Sequence, residues 1–236
     1  MRNWLLFANV SCRDFGVYIS GEGTFNAPER DYEVTSIPGK NGDLYFDNHR
    51  YKNVKLTYPA FIVRNFEASL SAFRSFLLSC SGYQRLEDTY HPDEYRMAVF
   101  TGPLEPSMEG RLRQGKFDLT FDCKPQRFLK DGEKSITLTS SGKIHNPTYF
   151  EAQPLIRVYG SGVLQVGDTA VTVKENTYPY IDIDTEVMNA RYSAADCNGF
   201  IEIPTVDFPT LHTGDTGISL GSGITKVEVT PRWWRL

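Results

Sequence analysis

The chain has 236 residues, of which 40% are hydrophobic and 23% charged, enough for one large domain or two small ones and unlike the composition of a disordered segment. An aromatic share of 13% favours pleated β-structure over helix, because flat rings suit a half-covered sheet surface. The formal net charge of −4 supplies no field for a phosphate backbone, and no apolar run approaches the roughly 18 residues of a membrane span, so neither specific nucleic-acid binding nor membrane insertion is expected.

Taken in chain order, the apolar run Trp4 to Val10 reads as a first strand. A signal peptide is the competing reading, but the run is short for one, and Asn9-Val10-Ser11-Cys12 lacks small-x-small cleavage spacing. Ile37-Pro38-Gly39-Lys40-Asn41-Gly42-Asp43 joins two extended segments. Asn-Gly tolerates the positive φ angles of a tight turn, which predicts a projecting hairpin turning at Asn41-Gly42. Phe66, Leu70, Phe73 and Leu77 fall on one face of a helix over 66–79 that should lie on a sheet, with Asn65 as N-cap and Gly82 closing the far end. Phe117 to Cys123 alternates strictly, placing Phe117, Leu119, Phe121 and Cys123 on a covered face with Asp118 and Asp122 toward water.

Composition changes after Phe128, and helical periodicity does not return. The expected division is therefore an N-terminal domain over 1–130, a linker over 131–147 and a C-terminal domain over 148–236. In the last of these, turn signals at Gly160 to Gly162, Gly167-Asp168, Asn198-Gly199 and Gly221 to Gly223 separate short strands, among them Val163 to Val166 and Val171 to Val173. That spacing predicts a β-sandwich.

Catalytic signatures are missing from the sequence: it holds no G-x-S-x-G, no phosphate loop, no H-E-x-x-H and no dinucleotide fingerprint. His49, His91, His145 and His212 are scattered and read as surface or hydrogen-bonded groups. Cys12, Cys80, Cys123 and Cys197 form no C-x-x-C pair and read as reduced core thiols. Asp182-Ile183-Asp184-Thr185-Glu186 sets three carboxylates along one side of a strand, a pattern that could serve a glycosidase or calcium. With Ile181 and Ile183 opposite, an ordinary strand with a wet acidic face already explains it. The closing Pro231-Arg232-Trp233-Trp234-Arg235-Leu236 mixes rings and cations, and Trp233 and Trp234 are expected to anchor the chain end to a domain surface. No catalytic residue, metal or cofactor is expected.

Several segments, in their order, resemble the distal tail (Dit) proteins of long-tailed phages. In the first half they are Phe15-Gly16-Val17, Ile37 to Leu44, Tyr51-Lys52-Asn53, the helix end Phe76-Leu77-Leu78 and Phe117 to Pro125. In the second half they are Asn146-Pro147, Ala152-Gln153-Pro154-Leu155-Ile156, Ile181 to Glu186, Phe208-Pro209-Thr210-Leu211 with Gly214, and Val227-Glu228-Val229 with Pro231 to Trp234. The resemblance covers nearly the whole chain and implies a mainly β protein of two β-sandwich domains. The first would carry one helix and an extended hairpin, and the second would be galectin-like.

In that family six subunits form a ring through their N-terminal domains at the distal end of the tail. The ring joins the tail tube and tape-measure protein to the tail-associated hub protein, and in many phages the C-terminal domains hold receptor-binding proteins. The resemblance thus implies a virion protein assembled in the host cytoplasm, non-enzymatic, forming a homo-hexamer with a central conduit for DNA. Six copies at −4 each give a formal −24, and an acidic lumen would repel passing DNA. The ring arm is expected over Val34 to Val54, with Val34, Ile37, Asn41, Gly42, Leu44, Phe46 and Val54 as interface candidates that extend a sheet into the neighbouring subunit.

Two other readings compete. One is a carbohydrate-binding module recognising host cell-wall glycans through the C-terminal domain. The other is a glycosidase using Asp182 and Asp184. Galectins use a longer H-x-N-P-R pattern and a downstream W-G-x-E, whereas His145-Asn146-Pro147-Thr148 has other spacing and no arginine, so the fold likeness by itself carries no sugar site.

Overall fold

The computed structural model describes residues 2–23, 26–63, 65–109, 114–205 and 207–236. It divides into two compact units, residues 1–127 with Leu236, and residues 128–235.

In the first unit the strands are β1 (Leu5–Phe7), β2 (Val10–Ser11), β3 (Val17–Ile19), β4 (Arg30–Ser36), β5 (Asp43–Tyr51), β6 (Val54–Ile62), β7 (Gln84–Asp88), β8 (Glu94–Phe100), β9 (Ser107–Glu109) and β10 (Gln114–Cys123), with one helix, α1 (Phe66–Ser79). The main sheet is antiparallel in the order β2-β1-β7-β8-β10-β6-β3, and β9 pairs with β10. A bridge between Asn3 and Ile19 joins the two ends of that order. Phe7 of β1 also meets Phe121 of β10 with ring centroids 5.0 Å apart, so the sheet curls back over its own core and leaves little open edge.

The register shows why this sheet is stable. Val54, Leu56, Tyr58 and Ala60 of β6 stand opposite Cys123, Phe121, Leu119 and Phe117 of β10, and all eight are buried. A slip of one residue would turn every one of them to the other face. Across this surface α1 buries Phe66, Leu70, Phe73 and Leu77, the stripe expected from the sequence. Its ends differ from expectation. Asn65 is left-handed (φ 51°) and its side chain makes no capping bond, because an N-cap side chain reaches the first-turn amides from an extended backbone. Cys80, in extended conformation, closes the helix, and the positive φ of Gly82 turns the chain two residues later.

The second unit contains β12 (Ile136–Leu138), β13 (Gly142–Asn146), β14 (Leu155–Gly160), β15 (Gly162–Val166), β16 (Thr169–Val173), β17 (Ile181–Asp184), β18 (Asn189–Tyr192), β19 (Ala195–Asp196), β20 (Ile201–Glu202), β21 (Gly214–Leu220), β22 (Ile224–Thr230) and β23 (Trp234–Arg235), with β11 (Arg127–Leu129) at the junction of the units. Two sheets, β12-β22-β14-β17-β18-β19 and β13-β21-β15-β16-β20, enclose one core. It includes Ile156, Ile183 and Val229 from the first sheet and Leu164, Val171 and Ile218 from the second. The segment 131–147, expected as a linker, supplies a strand to each sheet: β12 pairs with β22 and β13 with β21. Its Ser/Thr-rich composition hid alternation on two short, half-covered strands.

Two glycine turns read as separate loop signals prove to be one packing device. A Cβ on Gly160 (φ 95°) would lie 2.1 Å from the carbonyl oxygen of Gly223, and one on Gly223 (φ 94°) would lie 2.2 Å from that of Ser161. Only glycine lets the two backbones cross here.

Candidate assembly arm

Arg30 to Tyr51 forms a two-stranded ribbon, β4 with β5, that pairs with no other strand among the described residues. The nine residues of β5 span about 30 Å. Val34 stands opposite Tyr45, Tyr32 opposite Asp47, Glu33 opposite Phe46 and Thr35 opposite Leu44. Alternation therefore puts Tyr32, Val34 and Tyr45 on one face and Leu44 and Phe46 on the other. Tyr45 is 60% exposed and Phe46 54%, and Tyr32, Val34, Ile37 and Leu44 are exposed as well.

Polar contacts hold the ribbon in shape. Arg30 Nε donates to Asp47 Oδ2 at 2.9 Å, Arg50 Nε donates to Asp31 Oδ2 at 2.6 Å, and Ser36 Oγ donates to Asp43 Oδ1 at 2.7 Å near the tip. The Arg30 guanidinium holds the Asp47 carboxyl below the usual carboxylate range. Tyr32 and Tyr45 meet edge to face at 5.8 Å. These are exposed interactions of small individual weight, and a lone ribbon is marginal in water. Each exposed apolar side chain still has roughly 1 kcal/mol to gain from cover, about half of a full burial. Both faces of the ribbon therefore leave apolar side chains exposed.

Of the expected interface residues, Val34, Ile37, Leu44 and Phe46 lie on this arm, and Asn41 and Gly42 at its tip. The tip is a longer loop than a two-residue Asn-Gly turn. Positive φ falls at Gly39 (79°) and Gly42 (84°), and Lys40 N–H donates to the Ile37 carbonyl at 3.1 Å. Val54 is elsewhere: it opens β6 and is 6% exposed in the core, so the arm runs from Arg30 to Tyr51. Tyr32 and Tyr45 were missed. For Tyr45 the signal is the unbroken apolar run Leu44-Tyr45-Phe46, which breaks the alternation of a strand with one wet face.

The acidic strand looks different from its sequence reading. Asp182 and Asp184 are buried rather than wet. Arg157 Nε donates to Asp182 at 2.7 Å, and Arg232 donates to both oxygens of Asp184 at 2.6 and 2.9 Å. Arg232 holds the Asp184 carboxyl below its ordinary range, opposite to the raised value a general acid requires. Each histidine lies beside a carboxylate: His49 by Asp47, His91 by Asp88, His145 by Asp215 and His212 by Glu151. Asn146 is buried and donates to the carbonyls of Phe150 and Leu211, so it shapes a loop. Trp233 is buried in the second core. Trp234 stacks on Phe150 at 4.5 Å and donates to the Glu151 carbonyl.

No protein-family model and no curated protein matches the sequence. Solved structures do. SPP1 Dit (gp 19.1), described as a paradigm of hub adsorption apparatus in Gram-positive infecting phages, superposes with a TM-score of 0.75 at 14% identity over 100% of both chains. The chain has the Dit fold. A chain of the phage P2 baseplate in its activated conformation with Ca also shares the fold, with a TM-score of 0.54 at 12% identity over 97% of each chain. The same baseplate with Sr gives 0.54 at 12%, over 100% of this chain and 98% of that one. The Dit fold thus covers both units.

Proposed function

We propose that this chain is a structural protein of a phage tail tip, that six copies close into a ring, and that the Arg30–Tyr51 arm of each copy lies against its neighbour. The carrying observation is the ribbon with apolar side chains exposed on both faces, set in a chain that shares the Dit fold from end to end. Closed cyclic symmetry satisfies such an arm on every copy at once, because each subunit gives one arm and receives another. The ring would join the tail tube and tape-measure protein to the tail-associated hub protein, leave a conduit for DNA, and place the protein in the virion at the distal tail. The ion pairs of Asp182 and Asp184 favour this architectural reading over a glycosidase. Negative-stain electron microscopy of the purified full chain tests it: rings with a central hole are expected, and isolated protomers at every concentration would overturn it.

A further inference from the structure

Beneath the main sheet of the first unit, the inner face changes from apolar to charged. Along β8 the core-facing positions are Glu94, Arg96, Ala98 and Phe100, and Arg96 is 9% exposed. A cavity of about 20 Å³ opens there, lined in part by Tyr58, Asp88, His91, Glu94, Arg96 and Arg127. The carboxylates around it are engaged. Asp88 accepts from Tyr58 Oη at 2.7 Å and from the backbone N–H groups of Tyr90 and His91 at 2.9 and 2.8 Å, with His91 Nδ1 at 3.2 Å. Glu94 accepts from Arg127 Nε at 2.7 Å and Nη2 at 2.6 Å. Among the described residues, Arg96 Nη1, buried, has no acceptor.

A buried cation is normally matched by an opposite charge and filled hydrogen bonds, since desolvation otherwise costs more than the fold recovers. Burial already pushes the Arg96 pKa below its ordinary value. The cavity exceeds the roughly 10–15 Å³ that one water requires, so a monatomic ion has room there. Asp88 and Glu94 line the same cavity but are already held by Tyr58, His91 and Arg127, so a water would give Arg96 Nη1 an acceptor without adding an opposite charge.

We propose that this cavity binds one monatomic halide-class anion, chloride in ordinary buffers, against Arg96. The site is a structural counter-ion for the first unit, independent of the arm. Its test is thermal unfolding of the full chain at constant ionic strength with chloride exchanged for isethionate, a much bulkier anion. The expected result is a saturable rise of about 2–4 °C with chloride, absent in Arg96→Met. Equal unfolding temperatures in the two salts, or a rise that persists in Arg96→Met, would overturn the proposal. Should Arg96→Met not fold, crystals of the unaltered protein grown in bromide decide: an anomalous peak beside Arg96 Nη1 is expected, and a water there without anomalous signal would refute the site.

Discussion

Arg232 fixes the acidic strand through a chain position that sequence spacing does not reveal, 48 residues from Asp184. Because the folded Asp184 pKa lies below the unfolded value near 3.9, its contribution is complete above that value and is lost as pH falls through the folded one. Arg232→Met should therefore destabilise the second unit at neutral pH by about 3 kcal/mol, through the buried carboxylate it leaves unmatched. It should also flatten the loss of stability as pH falls below about 4, read by denaturant titration across pH. A variant with unchanged acid sensitivity would show that the pair does not set it. Gly160 offers a second residue-scale test. Gly160→Ala must both hold a positive φ and displace the Gly223 carbonyl, so a loss of about 2 kcal/mol or more is expected in chemical denaturation.

At the scale of elements, the parts legible in the sequence were those whose burial is one-sided. The α1 stripe and the β10 alternation each have a wet face that makes the pattern visible. The arm lacks that contrast, which is why its span was misjudged at Val54 and why Tyr32 and Tyr45 escaped notice. The acidic strand misled for a related reason: alternation gives a residue's face but does not say whether an arginine covers it. Replacing exposed arm residues separates assembly from folding. Tyr45→Glu with Phe46→Glu should leave the unfolding temperature within about 2 °C of the unaltered chain when both are melted at a concentration at which both are protomers, because assembly itself raises apparent stability and surface changes rarely exceed about 0.5 kcal/mol. Phe73→Ala, in the helix core, should cost about 3–5 kcal/mol. Circular dichroism melts distinguish the two, and an arm variant that melts far below the parent would place these side chains in a core.

For the whole molecule, residues 1–127 and 128–235 form two units with separate cores, and the segment 131–147 supplies two strands to the second. The units divide between Arg127 and Phe128, and regular structure follows almost at once with a 3-10 turn over Lys130–Glu133 and β12. In the ring proposed above, the apolar side chains exposed on both faces of the arm would supply the driving force for association. Native mass spectrometry of the full chain beside the Tyr45→Glu, Phe46→Glu variant tests this most directly. The account predicts a species at six times the 26.8 kDa protomer mass for the unaltered chain and protomers for the variant. A parent that stays monomeric as its concentration is raised, or a variant that still assembles, would contradict it.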